Sequence, residues 1–458
     1  MQGSKPSLFG TSGIRGVVNV DLDPILVMKV GLALGKILKN GRLAVARDTR
    51  TSSEMLASSL MAGILAGGLE VTDLGVLPTP ALAYLTRSLG AESGAMITAS
   101  HNPPEFNGVK LFDKEGKAYA EFFQRQVELA VSGKEFSAAS WSQLKGVSSY
   151  DFSFRYMEMI LGRVKFGKAW KVALDLGSGA AYKVVFDLFR SLDCHVISLN
   201  AQPDGFFPGR SSELTIQSLA TLMTVVRNMG CDIGVAFDGD ADRVSFVDDS
   251  GRFIEGDVAL AAFASNEVKR HGGGTVALPV DSSLAVQEAV EKGGGNVVWT
   301  KVGDPYVAEA IVREGAIFGG EPSGAWVHPD FHLCPDGILS SVLMLRALEE
   351  RGISARELFS GIVTYPMRRG KIPCENRLKV NVMKAVASDL PGALGEKPEV
   401  TDLDGIRVQV PSGWVLVRPS GTEPAIRLTV EARTQELAEH LYNVSHRLCS
   451  KKMGESLS

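Results

Sequence analysis

Three stretches of the chain repeat one pattern of apolar and polar positions: an apolar strand, a turn with Asp and small residues, an amphipathic helix and a second strand. They begin with LAVARDTRTSS (43–53), KVALDLGSGAA (171–181) and TVALPVDSSLA (275–285), and their helices are predicted to reach Leu65, Phe189 and Lys292. This pattern is typical of a βαβ unit, and such crossovers build mostly parallel sheets covered by helices. We therefore predict three related α/β domains with mixed, mostly parallel sheets.

The likeness of the three stretches does not by itself establish a domain repeat, because βαβ units are common. The length of 458 residues favours the repeat. At about 100–200 residues per domain, such a chain holds three or four domains, which is too much sequence for a single sheet.

The carboxyl-terminal part, from about Arg368, has a different pattern. It contains strand-like segments LKVNVM, GIRVQV, GWVLVRPS and AIRLTVEA, a predicted helix near 384–394 and a final helix from Gln435. Strands in hairpins followed by a helix indicate a smaller α+β domain. With boundaries near Ser149, Ile254 and Tyr365, the predicted domains are 1–149, 150–254, 255–365 and 366–458.

Composition and charge exclude several classes of protein. The net charge is −4, with 48 basic and 52 acidic residues and no basic stripe, so a nucleic-acid partner is not expected. The five cysteines are scattered and form no C-x-x-C, which excludes a disulfide framework or structural zinc site. There is no apolar signal core and no run of about 18 apolar residues, so we expect a cytoplasmic protein that does not enter a membrane.

A strand-to-loop segment, GAMITASHNPPEFNGVK (94–110), presents a candidate nucleophile. The strand AMIT runs into a loop in which two prolines and Asn102 prevent helix formation, so Ser100 lies on a rigid turn. A serine there can be a nucleophile, but the G-x-S-x-G elbow of hydrolases is absent. The segment alone leaves open an ordinary turn serine beside a surface histidine, His101.

The strongest local signal is the acidic loop in CDIGVAFDGDADRVSFVDDSG (231–251), which holds Asp238, Asp240 and Asp242 between two strands. Three carboxylates within five residues repel one another unless a cation neutralises them, and oxygen ligands suit Mg²⁺. An EF-hand would need Gly and Glu where Arg243 and Asp249 stand. The remaining alternative is a solvated acidic hairpin, which Arg243 disfavours, because a metal with an arginine is a usual phosphoryl clamp.

Two further loops offer polar groups for a small anionic ligand. VLVRPSGTEPAIRLTVEA (415–432) places Ser420, Gly421 and Thr422 where backbone N–H groups and hydroxyls can bind an anion, with Arg418 and Arg427 beside them. IFGGEPSGAWVHPD (317–330) offers a carboxylate and a hydroxyl suited to sugar hydroxyls, at Glu321 and Ser323. Each could equally be a surface turn. The Gly-rich LFGTSGIRG (8–16) contains Arg15 but lacks the G-K-[ST] ending of a nucleotide-binding P-loop.

The five loops, in this order, resemble those of the α-D-phosphohexomutase superfamily, which includes phosphoglucomutases, phosphomannomutases and phosphoglucosamine mutases. The motifs are F-G-T-S-G-I-R-G, T-A-S-H-N-P, D-G-D-A-D-R, G-E-P-S-G and R-P-S-G-T-E-P, and together they cover nearly the whole chain. The resemblance implies four domains around one central cleft, three of them related α/β units. This agrees with the repeat inferred from the hydrophobic pattern.

The resemblance also implies a role for each loop. Ser100 would be the phosphoserine, whose phosphate joins Asp238, Asp240 and Asp242 around one Mg²⁺ per subunit. The residues near the transferring phosphoryl group would be Arg243, Lys110, His101 and Arg15. Glu321 and Ser323 would contact the sugar, and the clamp for the non-transferring phosphate would be formed by Arg418, Ser420, Gly421 and Thr422 with Arg427 assisting. A hexose 1,6-bisphosphate would be both intermediate and activator.

Two departures from the family pattern bear on the substrate. Ala325 and Trp326 follow Gly324, where some relatives have His soon after the glycine. Pro305 replaces the Arg of a K-V-G-D-R stretch. The form G-E-P-S-G-A-W most resembles archaeal-type phosphoglucosamine mutases, so we expect glucosamine 6-phosphate and 1-phosphate as the interconverted pair. Phosphomannomutase/phosphoglucomutase activity is the alternative, a metal-dependent phosphatase is a rival enzyme, and a non-catalytic sugar-phosphate sensor is the rival of another class. A monomer or homodimer is expected.

Overall fold

The computed structural model describes residues 8–10, 13–133, 138–395, 398–420 and 424–457. The strands are β1 (Ile14–Val17), β2 (Arg42–Arg47), β3 (Glu70–Val76), β4 (Ser93–Ile97), β5 (Phe106–Asp113), β6 (Val147–Ser149), β7 (Lys171–Asp175), β8 (His195–Leu199), β9 (Ile233–Phe237), β10 (Val244–Asp248), β11 (Phe253–Ile254), β12 (Gly274–Pro279), β13 (Gly295–Thr300), β14 (Phe318–Gly320), β15 (Trp326–Val327), β16 (Met367–Pro373), β17 (Glu399–Thr401), β18 (Ile406–Val410), β19 (Gly413–Pro419) and β20 (Ala425–Ala432). The α-helices are α1 (Pro24–Leu38), α2 (Ser53–Ala66), α3 (Thr79–Ser88), α4 (Glu121–Ser132), α5 (Ser153–Leu161), α6 (Val185–Ser191), α7 (Ala220–Met229), α8 (Gly256–His271), α9 (Leu284–Lys292), α10 (Asp304–Glu314), α11 (Gly337–Arg351), α12 (Ala355–Ser360), α13 (Lys379–Leu394) and α14 (Gln435–Leu457).

The first three sheets are built on one strand order. Their orders are β1-β5-β4-β2-β3-β6, β11-β10-β9-β7-β8 and β13-β12-β14-β15. Each contains four consecutive strands of the chain in the spatial order fourth-third-first-second. In every case the first strand pairs in parallel with the second and third, and the fourth runs antiparallel to the third. The prediction of three related α/β domains with mixed sheets is confirmed.

The repeat places the three candidate loops at one topological position. In each domain the segment between the third and fourth strands of the shared order contains one of the candidate loops: 98–105 in the first domain, 238–243 in the second and 321–325 in the third. Ligands of open α/β sheets bind at the carboxyl ends of the parallel strands, which is where these loops begin. The three candidate loops therefore occupy one repeated position of the fold.

The fourth domain is an antiparallel sheet in the order β16-β20-β19-β18-β17, with α13 and α14 packed against one face. The smaller α+β domain is confirmed, but the strand predicted for LKVNVM (378–383) is wrong. Those residues form the first turns of α13, and the first strand is instead β16.

The misassigned segment alternates apolar and polar residues over too short a stretch to separate a strand from a helix. Over a longer stretch the spacing is helical, because α13 buries Val382, Val386 and Leu390, which lie four residues apart on one face.

One large apolar core runs through the three α/β domains. It includes the ring contacts of Phe246 with Trp326 at 5.8 Å and with Phe359 at 6.2 Å, which join the second domain to the third. The fourth domain has its own core and meets the third through a small apolar contact of Val280 and Leu284 with Trp414 and Leu416. Within the described ranges, no helix has both the length and the apolar character needed to cross a membrane.

A buried carboxylate fixes this contact between the third and fourth domains. Glu431 of β20 accepts hydrogen bonds from the Ser283 hydroxyl at 2.6 Å, the Leu284 N–H at 2.7 Å and the indole N–H of Trp414 at 2.7 Å. Two of these donors lie at the amino terminus of α9, where a negative charge is favoured. The sheet that carries the predicted clamp is thereby seated on the third domain.

Candidate active site

The loop between β4 and β5 holds Ser100 in an uncommon backbone conformation. Its φ is 53°, in the left-handed region, and the residue is completely buried. A non-glycine residue there costs on the order of 1–3 kcal/mol and persists only where its surroundings impose the conformation. The Ser100 N–H donates to the Thr98 hydroxyl at 2.9 Å, which contributes to that constraint.

The buried side chain of Arg50 hydrogen-bonds to the backbone of the same loop. Its guanidinium donates to the carbonyl oxygens of Ser100 at 2.9 Å and Asn102 at 2.6 Å. It also donates to the carbonyls of Pro103 at 2.5 Å and Phe106 at 2.9 Å. Four carbonyls on one rigid fork fix the course of the loop, because the donor directions of a guanidinium cannot adapt independently.

Asp48 completes the support of Arg50. This buried carboxylate accepts from the Arg50 Nε at 3.0 Å and from the hydroxyls of Ser53 at 2.6 Å and Thr98 at 2.7 Å. Burial raises the pKa of Asp48, and Arg50 together with these donors opposes the rise. The Ser100 loop thus rests on an ion pair whose remaining acceptor sites are also satisfied.

The fold brings the predicted nucleophile and the acidic loop together. Ser100 Oγ donates to Asp238 Oδ2 at 2.5 Å and lies 3.5 Å from Asp242 Oδ1, although 138 and 142 residues separate the partners. The predicted ligand residues Ser100, Asp238, Asp240 and Asp242 therefore share one site. The first domain supplies the hydroxyl and the second supplies the carboxylates.

The acidic triplet fits a hard divalent cation. One carboxylate oxygen from each of Asp238, Asp240 and Asp242 lies within 4.8 Å of the others. Asp240 Oδ1 is buried and accepts no hydrogen bond from the part of the chain that the structure describes. A buried carboxylate oxygen without a donor is costly, and a Mg²⁺ ion coordinated by all three carboxylates would satisfy it.

Two residues of the first domain contact the triplet. Lys110 Nζ donates to Asp240 Oδ2 at 2.7 Å and to Asp242 Oδ2 at 2.5 Å. Thr79, at the start of α3, donates its hydroxyl to Asp240 Oδ2 at 2.5 Å, and its backbone N–H donates to the Asp240 carbonyl at 2.9 Å. These bonds join the two domains at the acids themselves.

Burial and neighbouring charges shift the pKa values of Asp238 and Asp240 in opposite directions. Burial, with Asp242 and Asp240 nearby, raises the pKa of Asp238 well above its ordinary value. Burial, the largest single effect, would raise the pKa of Asp240, but Lys110, Thr79 and Arg15 together outweigh it and lower the pKa of that carboxyl to about 2. For Lys110 itself, the two carboxylates outweigh burial and raise the pKa, so the ammonium keeps its proton.

His101 lies beside Ser100, and Arg15 contacts the same loop at Asn102. His101 Nδ1 is 3.4 Å from Ser100 Oγ, and burial, followed by the positive charges of Arg243, Arg15 and Lys110, lowers the pKa of the ring to about 3. Arg15 donates to the side chain of Asn102 at 2.9 Å. The imidazole is therefore neutral near pH 7, surrounded by cations.

The acidic loop (238–243) is also supported by a buried arginine, Arg210. Arg210 donates to the Phe237 carbonyl, the last residue before the loop, at 2.6 Å, and forms an ion pair with Asp175 at 3.0 Å. Asp175 ends β7 and Asp48 follows β2, and these are the strands that come first in the shared order of their domains. The arrangement around Ser100 therefore recurs around the acids.

The predicted sugar-contacting pair, Glu321 and Ser323, lies next to the acidic loop. Glu321 accepts from the Gly303 N–H at 2.8 Å and from the Ser323 hydroxyl at 3.0 Å. Burial and the nearby Asp304 raise the pKa of Glu321 to about 7, although Arg243 opposes the rise. There is no room for a side chain at Gly324, because a Cβ atom there would lie 2.1 Å from the Val244 carbonyl oxygen.

The predicted phosphate clamp lies on the fourth domain. Arg418 of β19 donates to Asp404 at 2.8 Å, and Arg427 of β20 stands directly opposite it in the sheet. Ser420 is buried, and its N–H donates to the Ala425 carbonyl at 2.9 Å. Gly421 and Thr422 lie outside the described residues.

Sequence reasoning missed the residues that support the loops, namely Arg50, Asp48, Arg210 and Asp175, and also Thr79. One signal was available, because each repeat places an Asp at the end of its first strand. The arginine partners could not be assigned, since Arg210 lies 35 positions beyond Asp175 in the sequence.

Four sequence models of one family match the chain in order. They are described as phosphoglucomutase/phosphomannomutase alpha/beta/alpha domain I at residues 6–138, domain II at 155–251, domain III at 255–365 and the C-terminal domain at 371–443. A relative from Methanothermobacter thermautotrophicus, named probable phosphoglucosamine mutase, is 44% identical over 444 residues, covering 96% of this chain and 97% of the relative. One of the same name from Pyrococcus abyssi is 42% identical over 440 residues, with 96% and 97% covered.

Solved structures are similar over almost the full length. A phosphoglucomutase/phosphomannomutase family protein of Burkholderia thailandensis superposes with a TM-score of 0.87 at 27% identity, covering 97% of each chain. An N-acetylphosphoglucosamine mutase of Aspergillus fumigatus, solved with GlcNAc-6P and magnesium, gives a TM-score of 0.62 at 16% identity, covering 97% of this chain and 96% of that one. The second likeness concerns the fold alone.

Proposed function

Because the chain belongs to the phosphoglucomutase/phosphomannomutase family and is a phosphohexomutase, we propose that it interconverts glucosamine 6-phosphate and glucosamine 1-phosphate through a phosphoserine at Ser100. The observation that carries the proposal is the 2.5 Å contact of Ser100 Oγ with Asp238 across two domains. A buried, strained serine against a metal-binding triplet suits phosphoryl transfer better than a structural turn.

The reaction would proceed by two transfers. In the first, the bond between phosphorus and Ser100 Oγ breaks as a new bond forms to the free hydroxyl oxygen of the hexose monophosphate, giving a hexose bisphosphate. After the bisphosphate has turned end for end, Ser100 Oγ attacks the other phosphorus, and the bond from that phosphorus to the sugar oxygen breaks. The sugar oxygen takes up a proton and the hexose monophosphate product leaves. Each transfer conserves the phosphoryl group, so the enzyme returns to its phosphorylated form.

The cation would be held by the phosphate on Ser100 and by Asp238, Asp240 and Asp242. When bound, Mg²⁺ would neutralise charge on the oxygens of the transferring phosphoryl group. Arg243 and Lys110 would add positive charge from the protein, and Arg15 would orient the loop through Asn102. A bisphosphate would also serve as activator by phosphorylating an empty Ser100.

The proton of the attacking hydroxyl needs an acceptor. A lysine or a histidine can take this role. Lys110 is already protonated through its bonds to two acids, whereas His101 is neutral and lies 3.4 Å from Ser100 Oγ. We therefore assign acceptance of the proton to His101, whose basicity increases when Ser100 carries a phosphate dianion.

Glu321, Ser323 and the clamp would select the sugar and its second phosphate. The glucosamine assignment is supported by the relatives named probable phosphoglucosamine mutase at 40–44% identity. Comparison of kcat/KM for glucosamine, glucose and mannose phosphates, with Mg²⁺ and a trace of bisphosphate, tests it. Equal or better use of mannose or glucose phosphate would reassign the substrate, and inorganic phosphate as main product would indicate a phosphatase. We also propose that the protein is cytoplasmic and that it is a monomer or a homodimer.

The phosphoserine is tested by Ser100→Ala. The purified protein should carry about one phosphate, visible as intact mass, and the variant should lose both the phosphate and the activity, by up to about 10⁶-fold as when other covalent nucleophiles are removed. Ser212→Ala, which removes a 3.0 Å bond to the Ser100 carbonyl but no reacting atom, is the matched control. A fully active, unphosphorylated Ser100→Ala protein would refute the relay.

A further inference from the structure

The acidic loop, like the loop of Ser100, contains a buried non-glycine residue in the left-handed region. This residue is Ala241, which lies between Asp240 and Asp242 and has a φ of 59°. The conformation costs free energy in a residue that has a Cβ atom, so it persists only where neighbouring groups impose it. Since the backbone of Ala241 sets the directions of the acids on either side, those groups also set the geometry of the acidic triplet.

One group that contacts Ala241 from outside the loop is the first N–H of α11, in the third domain. Gly337 donates this N–H to the Ala241 carbonyl at 3.2 Å. The close approach requires glycine, because a Cβ atom on Gly337 would lie 2.5 Å from the Arg243 carbonyl oxygen. The first N–H groups of a helix have no acceptor within the helix, so the loop carbonyl also completes the start of α11. Helix and loop therefore stabilise each other at this contact.

The start of α11 is held by Asp336, its N-cap residue. Asp336 Oδ1 accepts the Leu339 N–H at 2.8 Å, which is the usual hydrogen bond of a helix cap. The Asp336 N–H donates to the Trp326 carbonyl at 2.9 Å, and this bond ties the same residue to β15. The cap therefore fixes where the helix begins, and with it the position of the Gly337 N–H.

The carboxylate of Asp336 is itself held by two further side chains. It is completely buried, and the Tyr156 hydroxyl, which donates to it, lies 2.9 Å from both carboxylate oxygens. His332 Nε2 lies 2.8 Å from Asp336 Oδ2. Tyr156 is on α5, in the part of the chain that matches domain II, whereas Asp336 and His332 belong to domain III. One buried carboxylate thus joins the second domain to the helix that contacts its acidic loop.

We propose that Asp336 is a positioning residue for the acidic triplet. Among the described residues it makes no hydrogen bond to Ser100 or to the three acids, so it acts through α11. The cap holds the Gly337 N–H against Ala241, and this contact keeps the loop in the conformation that gathers its acids. A site held in its binding conformation binds more tightly, because the ion need not order the loop. This inference rests on the proposed function, in which the acidic triplet holds Mg²⁺.

Three roles for Asp336 predict different affinities for the metal. If it only stabilises the fold, its removal lowers the melting temperature and leaves the Mg²⁺ affinity unchanged. If its negative charge attracts the ion, loss of the charge weakens binding whichever neutral residue replaces it. If it positions the loop, asparagine keeps most of the affinity, because Asn is an equally good N-cap, and the loss with other residues depends on the strain at Ala241.

The test titrates Mg²⁺ alone into variants of the full chain by calorimetry, all in a Ser100→Ala background so that phosphorylation does not vary. We expect Asp336→Ala to weaken Mg²⁺ binding by about tenfold, the scale of the strain that the ion must then impose on Ala241. Asp336→Asn should lose less than about threefold. Combined with Ala241→Gly, which removes the strain, Asp336→Ala should also lose less than about threefold. Glu350→Ala, which removes an exposed carboxylate near the other end of α11, is the matched control and should not change the affinity.

Any of three results would overturn the inference: unchanged Mg²⁺ affinity in Asp336→Ala, an equal loss in Asp336→Asn, or a loss that Ala241→Gly does not reduce. Circular dichroism and the melting temperature establish which variants are folded. Should Asp336→Ala not fold, Tyr156→Phe replaces it, because this change removes one donor to the carboxylate and no charge. We then expect a loss of about threefold that Ala241→Gly reduces, and an unchanged affinity contradicts the inference. The proposed function fails separately, since Asp240→Asn with undiminished Mg²⁺ binding would remove the metal site itself.

Discussion

Lys110 of the first domain donates a 2.7 Å hydrogen bond to Asp240 of the second, at the same oxygen that accepts the Thr79 hydroxyl. Among the described side chains, this ammonium is the only cation within 4.0 Å of the acidic triplet. It therefore neutralises part of the charge that a metal ion would otherwise neutralise.

Lys110→Met should consequently bind Mg²⁺ more tightly while turning over more slowly. Removing one positive charge beside the acids is expected to raise the apparent Mg²⁺ affinity by about tenfold and lower kcat by about 100-fold, since the positive charge also stabilises the transferring phosphoryl group. Metal titration followed by calorimetry measures the first effect and initial rates measure the second. Weaker Mg²⁺ binding in this variant would contradict the assignment of Lys110 as counter-ion.

The acidic triplet also predicts a dependence of stability on the metal. Mg²⁺ at 100 times its dissociation constant should stabilise the protein by about 2.7 kcal/mol, because binding occurs in the folded state alone. Asp240→Asn should lose most of this gain, measured as the shift in melting temperature between Mg²⁺ and EDTA. Asp193→Asn, which alters an exposed carboxylate of the same domain, should keep it. An undiminished shift in Asp240→Asn would place the ion elsewhere.

The support of the Ser100 loop predicts a coupled loss of stability and rate. Arg50→Lys keeps the charge beside Asp48 but cannot reach four carbonyls, so we expect a loss of about 2–4 kcal/mol and a fall in kcat of about 100-fold with little change in KM. Arg47→Lys is the matched control, because its ion pair with Asp73 is long, 3.6 Å, and partly exposed. Equal effects in the two variants would show that Arg50 has no special role.

Glu321 predicts a pH-dependent contribution to stability. Its pKa is raised to about 7 in the folded protein, above the ordinary value of 4.5, so the folded state binds more protons than the unfolded state between these values. Stability from this group is present below about pH 4.5 and is lost as pH rises to about 7, by up to about 3 kcal/mol.

Glu321→Gln removes the titration, so the melting temperature of the natural protein relative to this variant should decline with pH across that window. Measurements at intervals from pH 4.5 to 7.5 check the slope. Ser323→Ala, which keeps the carboxyl, should preserve the decline. A difference that is flat or rises with pH would mean that Glu321 is ionised throughout.

The elements and loops that depend on local pattern could be predicted from the sequence. The three βαβ units, the Ser100 turn and the acidic loop between β9 and β10 are marked by apolar runs, prolines and clustered acids, which act within a few residues. The partners of Arg50 could not be predicted in the same way, because Ser100 and Phe106 reach it only after two strands have paired. LKVNVM was misassigned for a related reason, since burial against the fourth sheet decides between helix and strand there.

The common position of the three loops separates the tasks of the enzyme physically. The segment that would recognise the sugar, 321–325, joins its own pair of strands and shares no backbone with the loops of Ser100 or the acids. Substitutions in that segment would change the proposed sugar contacts without changing the sequence of the loops that carry Ser100 or the three acids. We expect a graft of this segment between members of the family to change substrate preference if Glu321 and Ser323 contact the sugar as proposed.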